Sequence, residues 1–449
     1  MYQTIKIAQG DLVLVGPKMN LGGYWTGPHL YYLLAPALFI GAYEISGVLY
    51  FHTLLFAASL GFFFYSASKN LDLVKSLLAT ISLGLLQLFI ESSRYPSNGY
   101  TYFALLLILC TYVFFFRIGN KRSLLVAGFL TGFIINIHPI SLLALIFTSA
   151  YIFLLLKNKH SFSTNKKMYL FFLGATFLMF IPSILFELTH DFVMTKDTFI
   201  NKSYTSFINT SNTPQFRLHE NQLTSSIMFI SEKYEKLITF SPLVFFALSF
   251  FALKFKDSKF LKSNKFIFFS ILLSLALLIS VLRFHFEDHY IFSVAFFIFF
   301  GTILILLRSK LWFFILIIIL FQLQSFPKNI YEKQDIRSYK QSEAAVKYAI
   351  DNSLVSKNRP FNLIHLTDAY GLVPTGFEYR FFFRKYGFYP NSEYDYKTSK
   401  TLLIFSETPF YDIDRFKMWA TEEFGRKYFE KREIYHVGNI DIYQISKDD

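Results

Sequence analysis

Four short stretches of this chain carry side chains able to bind anions or orient hydroxyl groups. Glu91, Arg94 and Asn98 form the first, and Asn136 and His138 the second. Glu187, His190 and Asp191 form the third, and Arg283, His285, Glu287, Asp288, His289 and Tyr290 crowd the fourth. Guanidinium presents a planar fork that suits phosphate oxygens. Imidazole, carboxylate and amide groups hold hydroxyls by donating to them or accepting from them. Taken singly, each stretch is the ordinary polarity of a solvated loop. Four of them on one face, three bearing histidine, point to a convergent site.

The elements that must position these groups are apolar. The 449 residues are 53% hydrophobic, with 58 Phe and 29 Tyr, a composition unlike that of an ordinary soluble enzyme. A membrane span needs roughly 20 mostly apolar residues. Ten such segments recur, at about 45–66, 72–90, 99–116, 123–137, 139–156, 168–187, 237–253, 266–282, 289–307 and 311–326. The pattern predicts a polytopic α-helical membrane protein. The polar stretches fall at the ends of these spans. His52 is the one ionisable side chain well inside a span, and a lone intramembrane histidine is more often a buried hydrogen-bonding residue than a ligand.

The net charge of +13 could suggest a polyanion partner, but its placement argues otherwise. Alternate loops carry Lys69 and Lys75; Arg117, Lys121 and Arg122; Lys157, Lys159, Lys166 and Lys167; Lys254, Lys256, Lys259, Lys262 and Lys265; and Arg308 and Lys310. These 16 cations face two acids, Asp72 and Asp257, so the rest of the chain is about neutral. The excess is a positive-inside signal, not a nucleic-acid surface. It turns these loops to the cytoplasm. The four polar stretches, the N-terminal segment and the tail from Phe326 then face outward. A single cysteine, Cys110, permits no intrachain disulfide, and no Cys/His spacing suits zinc.

Residues 1–44 read as an outer loop and an interfacial helix. Gly22-Gly23-Tyr24-Trp25-Thr26-Gly27-Pro28 makes a loop, and aromatics suited to a membrane boundary follow from His29 toward Glu44. Residues 45–326 hold the spans, with an outer loop at 188–236 too long for a simple connector. From 327 to 449 the composition turns mixed and charged. Helical spacing at 342–353, 377–386 and 413–424 and strands at 361–367, 401–406, 433–437 and 440–445 predict a small extracytoplasmic α/β domain. Gly438-Asn439 joins the last two strands as a hairpin.

Gly10-Asp11-Leu12-Val13-Leu14-Val15-Gly16-Pro17, followed by Gly27-Pro28-His29-Leu30-Tyr31-Tyr32-Leu33-Leu34-Ala35-Pro36, resembles the first outer loop of bacterial GT-C membrane glycosyltransferases. The branch is the one similar to protein O-mannosyltransferases and to the lipid A aminoarabinose transferase. Ser93-Arg94-Tyr95-Pro96-Ser97-Asn98, Ile137-His138-Pro139, Pro182-Ser183-Ile184-Leu185-Phe186-Glu187 and His289-Tyr290 resemble later landmarks in the same order. The resemblance implies transfer of a sugar from a polyprenyl-phosphate donor to a glycan, lipid or protein acceptor at the outer face of the cytoplasmic membrane. It implies no organic cofactor and leaves a divalent metal open.

The resemblance also implies an outer-loop aspartate as general base, just ahead of the segment like Gly10–Pro17. By that spacing the base and a first helix fall upstream of Met1, and Asp11 is the acid that remains as a catalytic candidate. Arg94, Arg283, His285 and His289 are candidates for donor phosphate. His138, Glu187, His190, Asp191 and Tyr31 are candidates for sugar or acceptor. Two other readings stand beside this one: a transporter or flippase for a lipid-linked glycan, and a non-catalytic homologue lacking the first helix. A transporter should line its spans with polar or charged groups.

Overall fold

A computed structural model of the protein describes residues 1–17, 25–116, 120–138, 141–142, 146, 148–150, 152, 162–201, 235, 237–240, 242–254, 288–326, 339–366, 376–393, 395–407 and 419–447. The expected span at 266–282, most of that at 139–156, the outer loop from 202 to 234, and Arg283 and His285 lie outside the described residues. The chain forms two compact units. A helical unit comprises Val13–Ala37 and Ser46–Lys328. A sheet unit comprises Met1–Leu12, Leu38–Ile45 and Asn329–Asp449. The stretch 1–44 is therefore shared between them.

Helix α1 is Tyr2–Ala8 and α2 is His29–Ile40. Then come α3 (Ile45–Ser68), α4 (Leu73–Gly84), α5 (Gln87–Arg94), α6 (Asn98–Phe115) and α7 (Lys121–Ile137). They are followed by α8 (Phe162–Leu178), α9 (Ile181–Thr189), α10 (Pro242–Lys254), α11 (Asp288–Leu307) and α12 (Phe314–Gln324). Helix α3 has 24 residues. At 1.5 Å per residue it reaches about 36 Å, enough for the roughly 30 Å hydrocarbon core. Among the described residues α3 and α6 are each long and apolar enough to cross a membrane.

The segments expected as single spans at 72–90 and 168–187 are each broken in two. Helices α4 and α5 meet at 59°, and α8 and α9 at 51°. Gly84 closes α4. Pro182 sits in the first turn of α9, where a missing N–H costs nothing, but it could not have continued α8. Side-chain caps mark the starts of α4 and α7. Asp72 accepts from the amides of Val74 and Lys75, and Asn120 and Ser123 form a reciprocal capping box.

Small residues let two helices touch. A Cβ on Gly128 would stand 2.4 Å from the Phe172 carbonyl oxygen, and one on Gly132 would stand 2.4 Å from that of Thr176. Both glycines lie on α7 four residues apart, facing α8. Across this contact Thr176 donates its hydroxyl to the Gly128 carbonyl at 3.2 Å. Other buried polar pairs join further helices: Ser82 with Gln322 (3.2 Å), Ser249 with Thr302 (3.1 Å) and Tyr102 with Ser293 (2.7 Å). Where lipid is no poorer a solvent than Leu, close backbones and such hydrogen bonds hold helices together. His52 is fully buried, and its ring nitrogens reach the Ser93 carbonyl at 3.0 Å and the Thr101 hydroxyl at 2.9 Å. It ties α3 to α5 and α6.

The sheet unit adds α13 (Tyr339–Asp351), β1 (Phe361–Leu366), α14 (Phe377–Lys385), β2 (Thr401–Ser406), α15 (Trp419–Phe424), β3 (Arg432–Val437) and β4 (Ile440–Ser446). The strand order is β1-β2-β4-β3. β1 runs parallel to β2, and the other pairs are antiparallel. Gly438 takes φ +59° at the β3–β4 turn, the left-handed conformation a two-residue hairpin requires. On one face Ile364, Leu366, Leu402 and Ile404 pack against Ala420 and Phe424 of α15. On the other, Phe361 and Phe405 pack against Phe383 of α14.

Arg380 of α14 is completely buried. It donates to the Asn391 carbonyl (2.5 Å), the Asn362 side-chain oxygen and the Leu363 carbonyl (3.4 Å). Asn362 in turn donates to the carbonyls of Ser392 and Asp395. The start of the chain joins the same helix. Tyr2 stacks on Phe377 with ring centroids 5.8 Å apart, and Gln9 and Asp11 accept hydrogen bonds from Arg384 at 2.9 and 2.8 Å. Lys385 pairs with Glu44 and Glu343, each at 2.7 Å.

This last cluster makes stability depend on pH. Burial pushes the Glu343 carboxyl up, but hydrogen bonds from Lys385 and Tyr386 and the Lys385 and Lys347 charges outweigh it, and the net shift is downward. A depressed carboxylate contributes stability above its unfolded value, and the contribution is lost as pH falls through the folded one. Burial pushes Lys385 down, but its bonds to Glu343 and Glu44 carry it above its ordinary value. That contribution is full below the unfolded lysine value and is lost as pH rises through the raised one. Glu343→Gln should therefore flatten the acid limb of the melting-temperature profile. A variant profile parallel to the wild type below about pH 5 would contradict this.

Candidate functional site

The polar ends of the helical unit meet around the segment Trp25–Tyr31. Asn98, the first residue of α6, accepts from the Tyr31 hydroxyl at 2.9 Å and donates to the Thr26 hydroxyl at 2.9 Å. The Gly27 amide donates to the Asn136 carbonyl at 2.7 Å, in the last turn of α7. Backbone comes this close because residue 27 has no side chain. A Cβ there would lie 2.7 Å from Asn136 Cβ. The His29 ring meets Phe133 of α7 edge-on at 5.1 Å. Trp25 lies against Phe186 of α9, centroids 5.9 Å apart. One loop thus touches α6, α7 and α9 at the ends where the sequence concentrates its polar residues.

His138 caps α7 and is buried, its ring stacked on Tyr102 with centroids 6.0 Å apart. Its carbonyl accepts from both the amide and the hydroxyl of Ser141. Tyr102 continues the seam to Ser293 of α11. Asn98, Thr101 and Tyr102 follow the i, i+3, i+4 spacing of one helix face, and each makes a contact that joins another element. Two buried atoms of the seam, His29 Nδ1 and Asn136 Oδ1, have no hydrogen-bond partner among the described residues. Buried polar atoms left so cost free energy unless a water or a ligand meets them.

At the end of α9 the backbone is strained. Asp191 and Phe192 take φ of +53° and +57°, left-handed values that non-glycine residues adopt at a cost. Glu187 holds this turn. Its carboxylate accepts from the amides of Met194 (2.8 Å) and Thr195 (3.0 Å), capping the helical turns that follow. The His190 ring stacks on Phe186 at 4.0 Å and bonds the Phe186 carbonyl and the Thr189 hydroxyl. His190 and Asp191 are exposed.

Of the residues singled out from sequence, Tyr31, His138, Glu187, His190 and Asp191 belong to this assembly or to the α9 end adjoining it. Arg94 ends α5, its guanidinium 5.7 Å from the Tyr95 ring centroid, four residues before Asn98. His289 lies in the first turn of α11. Asp11 belongs to the sheet unit, its carboxylate paired with Arg384. Thr26 and Tyr102 are not among the residues singled out from the sequence. The repeated spacing of Asn98, Thr101 and Tyr102 in an otherwise apolar helix is the signal that points to Tyr102. Among the described residues no group of three or more His, Cys, Asp or Glu is placed to hold a metal ion.

No family model matches the sequence, and no curated protein matches it. A solved structure, the crystal structure of ArnT from Cupriavidus metallidurans in the apo state, is similar at a TM-score of 0.43 and 7% identity, over 99% of this chain and 91% of that one. At that level the likeness of fold is loose.

Proposed function

We propose that the chain transfers a sugar from a polyprenyl-phosphate donor to an acceptor at the outer face of the cytoplasmic membrane. The observation that carries this reading is the seam itself. Gly27 and Asn98, far apart in sequence, are joined through one loop that also reaches Asn136, two residues before His138, and these lie in the stretches that resemble GT-C transferases. The lipid of such a donor stays in the bilayer while its head group must meet a polar acceptor. A site at helix ends, with apolar helix middles below it, suits that pair of substrates. Asp, Glu, Lys and Arg in the described helices of this unit stay near helix ends, which favours a transferase over a transporter.

The chemistry asks mainly for placement and for stabilisation of the departing phosphate. Arg94 would hold the phosphate oxygens, with Arg283, His285 and His289 supplying further donors. His138, His190, Asp191 and Tyr31 would orient sugar and acceptor, and Glu187 would keep the turn bearing His190 and Asp191 in place. Asp11 is a weak choice for the general base that the resemblance implies, because its carboxylate is engaged by Arg384.

Transfer of label from a polyprenyl-phosphate sugar to an acceptor, measured on the purified protein, tests the reading. Arg94→Gln should lower the rate by about 10²-fold, the usual scale for removing one group that stabilises developing charge. Donor turnover that never yields an acceptor-linked product would sink the proposal.

A further inference from the structure

Four exposed apolar side chains of the sheet unit gather at one place. Helix α14 ends at Arg384 and Lys385. Arg384 holds Asp11, and the next residue, Leu12, is 80% exposed. The Arg384 guanidinium also lies 5.2 Å from the ring centroid of Tyr389, which is 60% exposed. Lys385 holds Glu44, reached by a tight turn from Phe39 and Ile40, which are 64% and 83% exposed. Three stretches far apart in sequence thus bring Leu12, Phe39, Ile40 and Tyr389, all of the sheet unit, to the carboxyl end of one helix. A lone exposed apolar side chain is ordinary, whereas a gathered set marks a surface that something covers.

The path of the chain identifies the partner. Ala42 and Tyr43 take φ of +49° and +64°, and the Tyr43 amide donates to the Leu38 carbonyl at 2.9 Å, so α2 ends in a tight turn. Two residues later, at Ile45, α3 begins. Two residues span at most about 7 Å, which puts Leu38 within roughly 10 Å of the start of α3. On the membrane reading α3 crosses the bilayer, and its length exceeds the hydrocarbon core by only about 6 Å. Ile45 therefore lies close to the hydrocarbon edge, and Phe39 and Ile40 stand at the depth of the head groups, a layer roughly 5–8 Å thick on each side. The same end of α14 carries rings and cations suited to that layer. Lys347 and Lys357, both exposed, stand over Tyr386 and Phe388 at 5.4 and 5.1 Å. Ammonium groups there meet lipid phosphates, and aromatic rings favour the same depth.

We propose that the sheet unit docks on the phospholipid surface that α3 enters, through Leu12, Phe39, Ile40 and Tyr389. The proposal rests on the membrane reading of the sequence and not on the transferase reading. The end of α14 lies in the head-group layer, and the far face of the sheet stands in water. His436 marks that wet side. Tyr435 is in register with Ile442, and Ile442 with Phe405, so Tyr435 shares the α14 face and His436 alternates to the other.

Nitroxide labels on the full chain, reconstituted in vesicles of phosphatidylcholine and phosphatidylglycerol, test it. Oxygen concentrates among acyl chains and a nickel chelate in water, so their collision rates with a label report its surroundings. Labels are placed at Leu12→Cys, Tyr389→Cys, His436→Cys and Leu54→Cys, each with Cys110→Ala. Leu54, an exposed residue of α3, is the lipid control. The oxygen-to-nickel ratio at positions 12 and 389 should exceed that at 436 several-fold and approach that at 54. Ratios at 12 and 389 equal to that at 436, with 54 still reporting lipid, would overturn the proposal and leave the membrane reading intact. Low collision with both reagents at 12 and 389 would overturn it in favour of a protein partner. A water-like ratio at 54 would remove the membrane reading and the proposal together. The replaced side chains at 12, 389 and 436 are exposed, and Phe39→Cys repeats the measurement within the turn should any of these variants misfold.

Discussion

Arg380→Met should cost the sheet unit about 3–5 kcal/mol, a large share of the roughly 5–15 kcal/mol that holds an ordinary domain folded. Methionine nearly matches the volume, so the loss isolates hydrogen bonding from packing. The substitution leaves the Asn391 and Leu363 carbonyls and the Asn362 amide oxygen without the guanidinium that now donates to them. Each buried acceptor left unmet costs about 1–3 kcal/mol. Asn362 then loses the restraint that keeps its amide aimed at Ser392 and Asp395, so the damage reaches the segment before β2. Arg380→Lys should rescue little, since one point charge cannot serve oxygens arrayed around a planar fork. Hydrogen exchange reads the outcome directly. Amides of β1 and β2 should lose protection while those of α6 and α7 keep theirs. Protection in β1 within roughly 1 kcal/mol of wild type would refute the account.

Gly132→Leu should separate α7 from α8. The Cβ alone would stand 2.4 Å from the Thr176 carbonyl oxygen and 2.9 Å from Met179 Cβ, and backbone cannot swing aside as a side chain can. The helices must part, and the Thr176 bond to Gly128 goes with them. Overpacking of this kind costs about 1–3 kcal/mol, and the lost interhelical hydrogen bond adds about 0.6 kcal/mol or more. Gly174 supplies the control. It lies on α8 itself, with nothing within 4 Å of its absent Cβ. Gly174→Ala should therefore leave the thermal midpoint in detergent unchanged or slightly raised, through better helix propensity. Equal destabilisation by the two substitutions would show that bulk at the 132 contact is not the cause.

What could be read from the sequence was what is decided locally. The strands at 361–366 and 401–406 appear where β-branched and aromatic residues cluster, and the β3–β4 hairpin turns where Gly438-Asn439 stands. The burial and bonding of His52 also follow the ordinary expectation for a lone histidine in a span. Breaks within apolar runs were harder. Gly84 and Pro182 were visible, but an apolar window scores a bent pair and a straight span alike. Helix α1 has seven residues, too short to be stable alone, and it exists through contacts such as Tyr2 on Phe377. Nothing near Tyr2 announces a partner more than 370 positions away. The Gly128/Gly132 pair is different, because a small-xxx-small pattern within an apolar run is a sequence signal in its own right. Of the candidate site, residue types and their order were legible. The loop that binds Asn98 and Asn136 together was not, because that join consists of backbone and amide contacts with no sequence period.

The sheet unit draws on the first dozen residues, on Leu38–Ile45 and on everything after Asn329. A compact body cannot straddle roughly 30 Å of hydrocarbon. On the membrane reading of the sequence, all three pieces must emerge on one side, and the segment between them must cross the bilayer an even number of times. Topology here is subject to a parity rule. One helix failing to insert, or one extra crossing, would strand Glu44 and Lys385 in different compartments, and no later adjustment of packing could reunite them.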